Sequence, residues 1–132
     1  MEENDIGTKV VVAAVQIHTD LGPGLLETVY EVVLAKELEK QGIEVRRQVP
    51  ISIEYQGLKF EEGFRADLIV AGLVIVELKS VEELHKVHPK QLFTYLKLTG
   101  LKLGYLLNFG APRMKEGIKR VVNGLGREES DL

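Results

Sequence analysis

Two acidic residues and a lysine lie in neighbouring apolar runs of the sequence, and this set could bind a divalent metal ion. Asp67 lies within the run FRADLIV, and Glu77 and Lys79 end the run LVIVELK that follows it. Such runs predict adjacent β-strands, and side chains two residues apart on a strand share a face, so Glu77 and Lys79 point the same way. Carboxylate oxygens are ligands that Mg²⁺ and Mn²⁺ prefer, and these ions keep bound waters for reaction.

The length of the loop between the two runs decides whether the carboxylates meet. A three-residue loop at 71–73 would pair Val70 with Val74 and set Asp67 opposite Glu77, with Cβ atoms about 4.5–5.5 Å apart. Carboxylates that close repel each other unless a proton or a cation lies between them. A two-residue loop would put them on opposite faces. The alternative to a metal site is a solvated Asp–Lys–Glu cluster on a half-exposed sheet.

A further acid, Glu27, stands where the second predicted helix begins. At about 100° per residue it starts a row that continues through Glu31 to Leu34 and Leu38, so the row becomes apolar along the helix. The helix macrodipole favours an acid in the first turn. The sequence therefore leaves two interpretations of Glu27: a residue that stabilises the helix start, or a residue that faces an inward site.

The third predicted helix carries polar side chains that suit contacts with phosphate and sugar groups. Gln91 and Tyr95 are four residues apart and share a face, and His88 lies one turn before Gln91. Lys90 and Lys97 lie nearby, and an amide, a phenol and ammonium groups together are typical of nucleic-acid contacts. The alternative is an amphipathic helix whose polar face is only solvated.

The composition is that of an ordinary globular chain with an uneven distribution of charge. The 132 residues are 45% hydrophobic and include no cysteine, which excludes a disulfide scaffold, a thiolate nucleophile and cysteine-bound zinc. Residues 84–120 carry eight Lys or Arg against one Glu, although the whole chain has a net charge of −3. This segment is either a surface that faces a polyanion or a solvated helix face.

The sequence shows no sign of membrane insertion or secretion. No uncharged apolar run approaches the roughly 18 residues that a membrane span needs, and the start MEEND is not that of a signal peptide. We therefore expect a cytoplasmic protein without a membrane partner.

Apolar periodicity predicts one domain over residues 6–125, with frayed termini at 1–5 and 126–132. The order α-α-β-β-β-α-β-α follows from helices over about 6–20, 25–41, 84–98 and 114–125, and strands over 44–55, 60–70, 73–79 and 103–109. The middle strands follow one another through short turns and should be antiparallel, whereas the last strand follows a helical crossover and can be parallel. The prediction is an α/β fold with a mixed central sheet flanked by helices.

Five segments together resemble a known family. Residues 24–30 spell G-x-x-E-x-x-Y, and they are followed in order by FRADLIV, IVELKS, HPKQLFTYLKLTG and GYLLNFG. Over residues 6–125 the chain resembles the GxxExxY proteins, a bacterial and archaeal family within the PD-(D/E)XK nuclease superfamily. The resemblance implies a restriction-endonuclease-like core. The superfamily's proline before the aspartate is Ala66 here, a departure that leaves the carboxylate ligand in place.

The resemblance also implies roles for individual residues. By match of motif, Asp67 and Glu77 would hold the metal, Lys79 would position or activate the attacking water, and Glu27 would add to the site. The backbone carbonyl of Leu78 is a further candidate ligand. Gln91 resembles the glutamine of the Q-x-x-x-Y element that lines the same site in RecB-like exonuclease domains. The candidate nucleic-acid contacts are Tyr30, His88, Lys90, Tyr95 and Lys97.

The expected function is a Mg²⁺- or Mn²⁺-dependent phosphodiester hydrolase, a nuclease that acts on DNA rather than RNA. One alternative is a nucleic-acid- or protein-binding module that retains the nuclease fold without turnover, because 132 residues leave little beyond a core. Another is a phosphodiesterase that uses the same site on a nucleotide or a tRNA. Tyr55, Leu58 and Phe60 around the turn at Gln56-Gly57 should form an exposed apolar edge, and such edges pair readily, so we expect a homodimer.

Overall fold

The structure, a computed structural model, describes residues 1–125. These residues form helices and a mixed β-sheet. The helices are α1 (Glu3–Leu21), α2 (Glu27–Lys40) and α3 (Val87–Thr99), and a short 3-10 helix spans Met114–Gly117. The strands are β1 (Val45–Tyr55), β2 (Leu58–Val70), β3 (Val74–Lys79), β4 (Leu103–Asn108) and β5 (Ile118–Val122). The first seven predicted elements are confirmed to within a few residues.

The sheet contains both strand polarities, as predicted. Its order is β1-β2-β3-β4-β5, and the neighbours pair antiparallel except for β3 and β4, which are parallel. α3 is the crossover between these two parallel strands, the connection that parallel neighbours require. The α/β fold with a mixed sheet flanked by helices is therefore confirmed.

Helices cover both faces of the sheet, and β3 contributes to both apolar layers. Val76 and Leu78 pack in the layer with α1 and α2, whereas Ile75 packs in the layer with α3. Because side chains alternate along a strand, Glu77 and Lys79 lie on the same face as Ile75. The charged end of β3 is therefore turned toward α3.

The last predicted helix, residues 114–125, is wrong. A 3-10 helix at Met114–Gly117 leads directly into β5, which pairs antiparallel with β4. Val121 packs in the α3 layer and Val122 in the α1–α2 layer, the alternation of a strand. The apolar spacing fits a helix, but β-branched residues and pairing with the edge of β4 favour a strand.

The N-terminus is ordered further than the predicted fraying of residues 1–5. α1 begins at Glu3, and the Asp5 carboxylate accepts a hydrogen bond of 2.8 Å from the Glu2 N–H. This capping contact satisfies a donor at the helix start. The predicted C-terminal fraying, residues 126–132, lies outside the described residues. Within residues 1–125, no helix is long and apolar enough to cross a membrane.

Candidate active site

A three-residue loop sets the register of the two strands that carry the acidic pair, Asp67 and Glu77. Val70 pairs with Val74, and the Leu73 N–H donates to the Val70 carbonyl at 3.0 Å. The loop therefore has the three residues that are needed to set Asp67 opposite Glu77. Ala71 and Gly72 both adopt a positive φ, 55° and 66°, in this turn. The same register places Asp67 opposite Glu77.

Each carboxylate of the acidic pair binds the backbone of the other strand. The Asp67 N–H donates to Glu77 Oε2 at 2.8 Å, and the Leu78 N–H donates to Asp67 Oδ2 at 2.9 Å. These two bonds continue the β2–β3 pairing beyond its last backbone pair, Leu68 and Val76. Both carboxylates are thereby fixed in position before any ligand binds.

The acidic pair favours the protonated form of Glu77. Burial and, after it, the nearby Asp67 charge raise the pKa of Glu77 from 4.5 to about 8, although the hydrogen bond from the Asp67 N–H and the charge of Lys79 oppose the shift. Without a bound cation, Glu77 therefore carries a proton at neutral pH. A divalent cation would replace that proton and allow both carboxylates to ionise.

Lys79 lies near both the acidic pair and His88. Its charge lowers the pKa of Glu77, and together with burial, the larger cause, it lowers the pKa of His88. The charge of Glu27 raises the pKa of His88, so both Lys79 and Glu27 lie close enough to this imidazole to affect its protonation. The His88 ring also accepts a hydrogen bond at Nδ1 from the His85 N–H at 3.3 Å. His88 is therefore a neutral side chain at the rim of the site.

The end of β3 is held by the loop that follows β4. The Phe109 N–H donates to the Lys79 carbonyl at 2.8 Å. The Asn108 amide bonds both backbone groups of Val81, at 3.0 Å and 2.9 Å. A Cβ on Gly110 would collide with the Val81 backbone, so this close approach requires glycine. The backbone around Lys79 is consequently rigid.

The structure brings Tyr95 to the acidic pair but leaves Gln91 at the surface. The Tyr95 ring stacks on Phe64 with 3.9 Å between centroids and an interplanar angle of 4°. Burial raises the pKa of the Tyr95 phenol, and the charges of Glu77 and Asp67 raise it further. The phenol therefore stays a hydrogen-bond donor. Gln91 is exposed, and its side chain makes no hydrogen bond within the described part of the chain.

Glu27, expected to add to the acidic pair, lies at the start of α2, where its charge acts on His88. Glu27 is the first residue of α2 and is exposed, with no hydrogen bond or ion pair to residues 1–125. One helical turn later, Glu31 is only 5% exposed and is the acid of α2 whose charge raises the pKa of Glu77. At the helix start the Glu27 side chain can extend into solvent, whereas Glu31, one turn further, is enclosed by its neighbours.

Glu31 belongs to a network that the sequence did not reveal. Its carboxylate accepts from Arg47 Nε at 3.0 Å and Nη2 at 2.9 Å, and from Gln48 Nε2 at 2.7 Å. The fork of the guanidinium and the amide together satisfy a buried charge. The only available signal was that Glu31 shares the row of Glu27 along α2, while its partners lie in another element.

Gln48 links this network to the acidic pair through a strained backbone. Its Nε2 also lies 3.4 Å from Asp67 Oδ1, and its φ is 51° within β1. The neighbouring pairs, Arg47 with Leu68 and Val49 with Ala66, place Gln48 opposite Asp67. A left-handed conformation in a residue with a side chain costs about 1–3 kcal/mol and is found where the surroundings enforce it.

Tyr30, expected to contact nucleic acid, is instead a core residue. It is fully buried and its ring stacks on Phe109 with 4.3 Å between centroids. Its hydroxyl donates to the Gly22 carbonyl at 2.6 Å and accepts from the Leu25 N–H at 3.1 Å. The Ser80 hydroxyl donates to the Leu25 carbonyl at 2.6 Å. Tyr30 therefore fixes the loop before α2 beside the end of β3 and is unavailable for direct contact.

Lys90 and Lys97 lie on the exposed surface of α3. Lys97 Nζ is 5.8 Å from the centroid of the Phe93 ring. About 100° separates successive helical residues, so these lysines lie away from the flank that carries His88 and Tyr95. The structure thus separates the flank of α3 that faces the acidic pair from a basic flank.

The donors at the acidic pair suit a magnesium-like ion. Among residues 1–125, no group of three or more His, Asp or Glu side chains could hold a metal ion. Mg²⁺, however, commonly uses one or two carboxylates and fills its other positions with waters and substrate oxygens. Asp67 and Glu77, two opposed carboxylates of which Glu77 carries a proton when no cation is bound, fit this requirement.

The sequence comparison agrees with this fold and strand pair. The sequence profile of a family in the PD-(D/E)XK nuclease superfamily matches residues 4–121. The chain therefore belongs to the PD-(D/E)XK nuclease superfamily. No individually curated protein matches it. Membership supports a nuclease-type function and the interaction with nucleic acid that such a function requires.

Proposed function

We propose that the chain is a Mg²⁺- or Mn²⁺-dependent phosphodiester hydrolase that cleaves DNA. The observation that carries the proposal is the acidic pair: Asp67 and Glu77 are held opposite each other by backbone hydrogen bonds of 2.8 and 2.9 Å, beside Lys79. Membership of the nuclease superfamily supports the reaction class, and the preference for DNA belongs to the proposal.

In this proposal the chain's own groups divide the work of hydrolysis. The carboxylates of Asp67 and Glu77, with the Leu78 carbonyl, would hold the metal. A cation bound there would polarise a phosphodiester oxygen and lower the pKa of a coordinated water. Lys79 would orient that water and offset the negative charge that develops on the phosphoryl oxygens. The neutral Tyr95 phenol would donate to a substrate oxygen, and exposed Gln91 and half-buried His88 would border the entrance.

A second candidate is a binding module that keeps the fold without turnover. The position of Glu27, exposed and outside the acidic pair, favours it, because a site with fewer acids binds metal more weakly. The two proposals differ in metal binding: an active site should bind Mn²⁺ and lose it in Asp67→Asn, whereas a scaffold need not bind it.

The decisive experiment is a cleavage assay on the purified chain. Single- and double-stranded DNA, the matching RNAs and a tRNA are incubated with Mg²⁺ or Mn²⁺, with and without EDTA. We expect metal-dependent cleavage of DNA by the native chain and far slower cleavage by Lys79→Ala. Cleavage confined to RNA would overturn the substrate, and no cleavage of any substrate would overturn the hydrolase.

We also propose that the chain dimerises through the tip of the β1–β2 hairpin. Tyr55, Leu58 and Phe60 are 66%, 63% and 53% exposed, as expected from the sequence. Exposed apolar residues on an edge hairpin pair readily with another chain. Light scattering at tens of micromolar tests this, with Phe60→Ser as the variant expected to shift the chain to a monomer.

A further inference from the structure

A groove of about 600 Å³ lies between α3 and β5, on the basic flank of α3. Its apolar floor includes Phe93, which is half-buried, and Val121, which is buried. Lys90 and Lys119 stand exposed on its rim. An aromatic floor between lysines is a combination that serves bases and phosphates at once.

The lysines of this surface have no acidic partners to neutralise them. Lys90, Lys97 and Lys119 form no ion pair within 4.0 Å in the part of the chain that the structure describes. Lys119 also borders a separate depression lined by the acidic residues Glu82, Glu83 and Glu116. The lysines on α3 and β5 therefore attract a polyanion to the groove, and the acidic residues of the neighbouring depression repel it there.

The groove and the acidic pair lie on the two flanks of one helix. Leu92 and Leu96 bury the inner side of α3. Tyr95 stacks beside the acidic pair on one flank, and Phe93 lines the groove on the other. A helix with its side chains is about 10–12 Å across, so a nucleic-acid strand that crosses α3 can reach both within a few nucleotides.

We infer that this α3–β5 groove is a subsite for single-stranded nucleic acid, which stacks a base on Phe93 and holds the adjacent phosphates on Lys90 and Lys119. A duplex keeps its bases stacked inside, so only an unpaired segment can use the aromatic floor. One part of the inference rests on the proposed function: the bound strand continues from the groove to the acidic pair, where it would be cleaved. The subsite would direct cleavage to substrates with an unpaired segment next to the scissile bond.

Binding measured without turnover tests the subsite. The full chain carrying Lys79→Ala is titrated into fluorescently labelled oligo-dT of 4–20 nucleotides, and into a 20-base-pair duplex, without metal, and anisotropy is recorded. Phe93→Leu removes the aromatic ring but keeps a large apolar side chain, and we expect it to weaken oligo-dT binding about tenfold and duplex binding much less. Circular dichroism and thermal melting verify that the variants fold.

The lysines are tested by the salt dependence of binding. Lys90→Ala with Lys119→Ala should weaken oligo-dT binding and reduce the slope of log K against log salt by about 1.4, which is about 0.7 for each lost phosphate contact. The matched control is Lys36→Ala with Lys40→Ala, which removes the same charge from α2 on the opposite face of the sheet. The control should change the slope far less.

Four outcomes overturn the subsite: no oligo-dT binding by the parent chain, unchanged binding by the groove variants, equal losses in the groove and control variants, or equal losses for oligo-dT and duplex with Phe93→Leu. Failure of the hydrolase proposal gives a different result. Groove variants that lose oligo-dT binding while the native chain cleaves nothing would leave the subsite standing. Cleavage by the native chain with unchanged binding by the groove variants would leave the hydrolase standing and remove the subsite.

Discussion

Glu31 and Glu77 are two carboxylates withdrawn from solvent that the protein treats differently. Glu31 is 5% exposed, and the Arg47 guanidinium and the Gln48 amide satisfy it at 2.7–3.0 Å. Glu77 faces another acid and has no ion pair within 4.0 Å among residues 1–125, and burial together with the Asp67 charge raises its pKa to about 8. The chain supplies a counter-charge to one acid and leaves the other dependent on a proton or an external cation. A structural charge and a candidate metal ligand differ in this respect.

The largest expected effect is the loss of cleavage in Lys79→Ala, because Lys79 is the ammonium group whose charge acts on Glu77 and which would orient the water. We expect a decrease of about 10²–10³-fold in the cleavage rate with Mn²⁺. Lys86→Ala, an exposed lysine in the loop before α3, is the matched control and should retain activity. Equal activity in native chain and Lys79→Ala would indicate a contaminating nuclease.

Metal binding should strengthen as pH rises, since Glu77 must lose its proton to become a ligand. With a pKa of about 8 for Glu77, the Mn²⁺ dissociation constant should rise up to about tenfold for each pH unit below 8. Calorimetry at pH 6, 7 and 8, in two buffers of different ionisation enthalpy, measures affinity and proton release together. An affinity that does not change over this range would mean that Glu77 is already ionised.

The same pKa predicts that the metal-free protein loses stability as pH rises. The pKa of Glu77 is raised by folding from 4.5 to about 8, so its contribution is complete below pH 4.5 and is lost as pH rises through 8. Glu77→Gln should therefore be more stable than the native chain at pH 8.5, by up to about 4–5 kcal/mol in urea unfolding, because each pKa unit corresponds to about 1.4 kcal/mol. The exposed Glu83→Gln is the control, and a similar gain there would attribute the effect to net charge.

Removing the Arg47 guanidinium should leave Glu31, like Glu77, as a buried carboxylate without an ion pair. Arg47→Ala leaves the Glu31 carboxylate with only the Gln48 amide, and we expect a loss of about 1–2 kcal/mol in urea unfolding. The loss is limited because the Arg47 side chain is 41% exposed and water can replace part of it. Arg46→Ala, at the exposed neighbouring position, should change stability by less. Equal losses would show that Glu31 does not depend on Arg47.

The smallest expected effect is that of Glu27→Gln on stability. Because Glu27 is exposed in the first turn of α2, its loss should lower stability by about 0.3–1 kcal/mol through the macrodipole alone. Thermal melting with and without Mn²⁺ measures it. A higher melting temperature without metal, with less stabilisation by Mn²⁺, would instead place Glu27 with the acidic pair.

The sequence by itself determined the fold class and limited the register at the acidic pair to a few possibilities. Alternation of apolar residues depends only on neighbours along the chain, so it predicted the strands, but it left the loop between them at two or three residues, and the structure has the three-residue loop that pairs Val70 with Val74. The same local information identified Asp67, Glu77 and Lys79, since a buried strand that ends in charges is anomalous wherever the strand lies.

Only the tertiary structure decided β5, the burial of Tyr30 and the network of Glu31. Residues 118–122 fit a helical spacing, and it is pairing with β4 that makes them a strand. Glu31 and Gln48 come from a helix and a strand whose contact no local pattern encodes. Burial and hydrogen bonding across elements depend on which segments meet, and that is a property of the assembled fold.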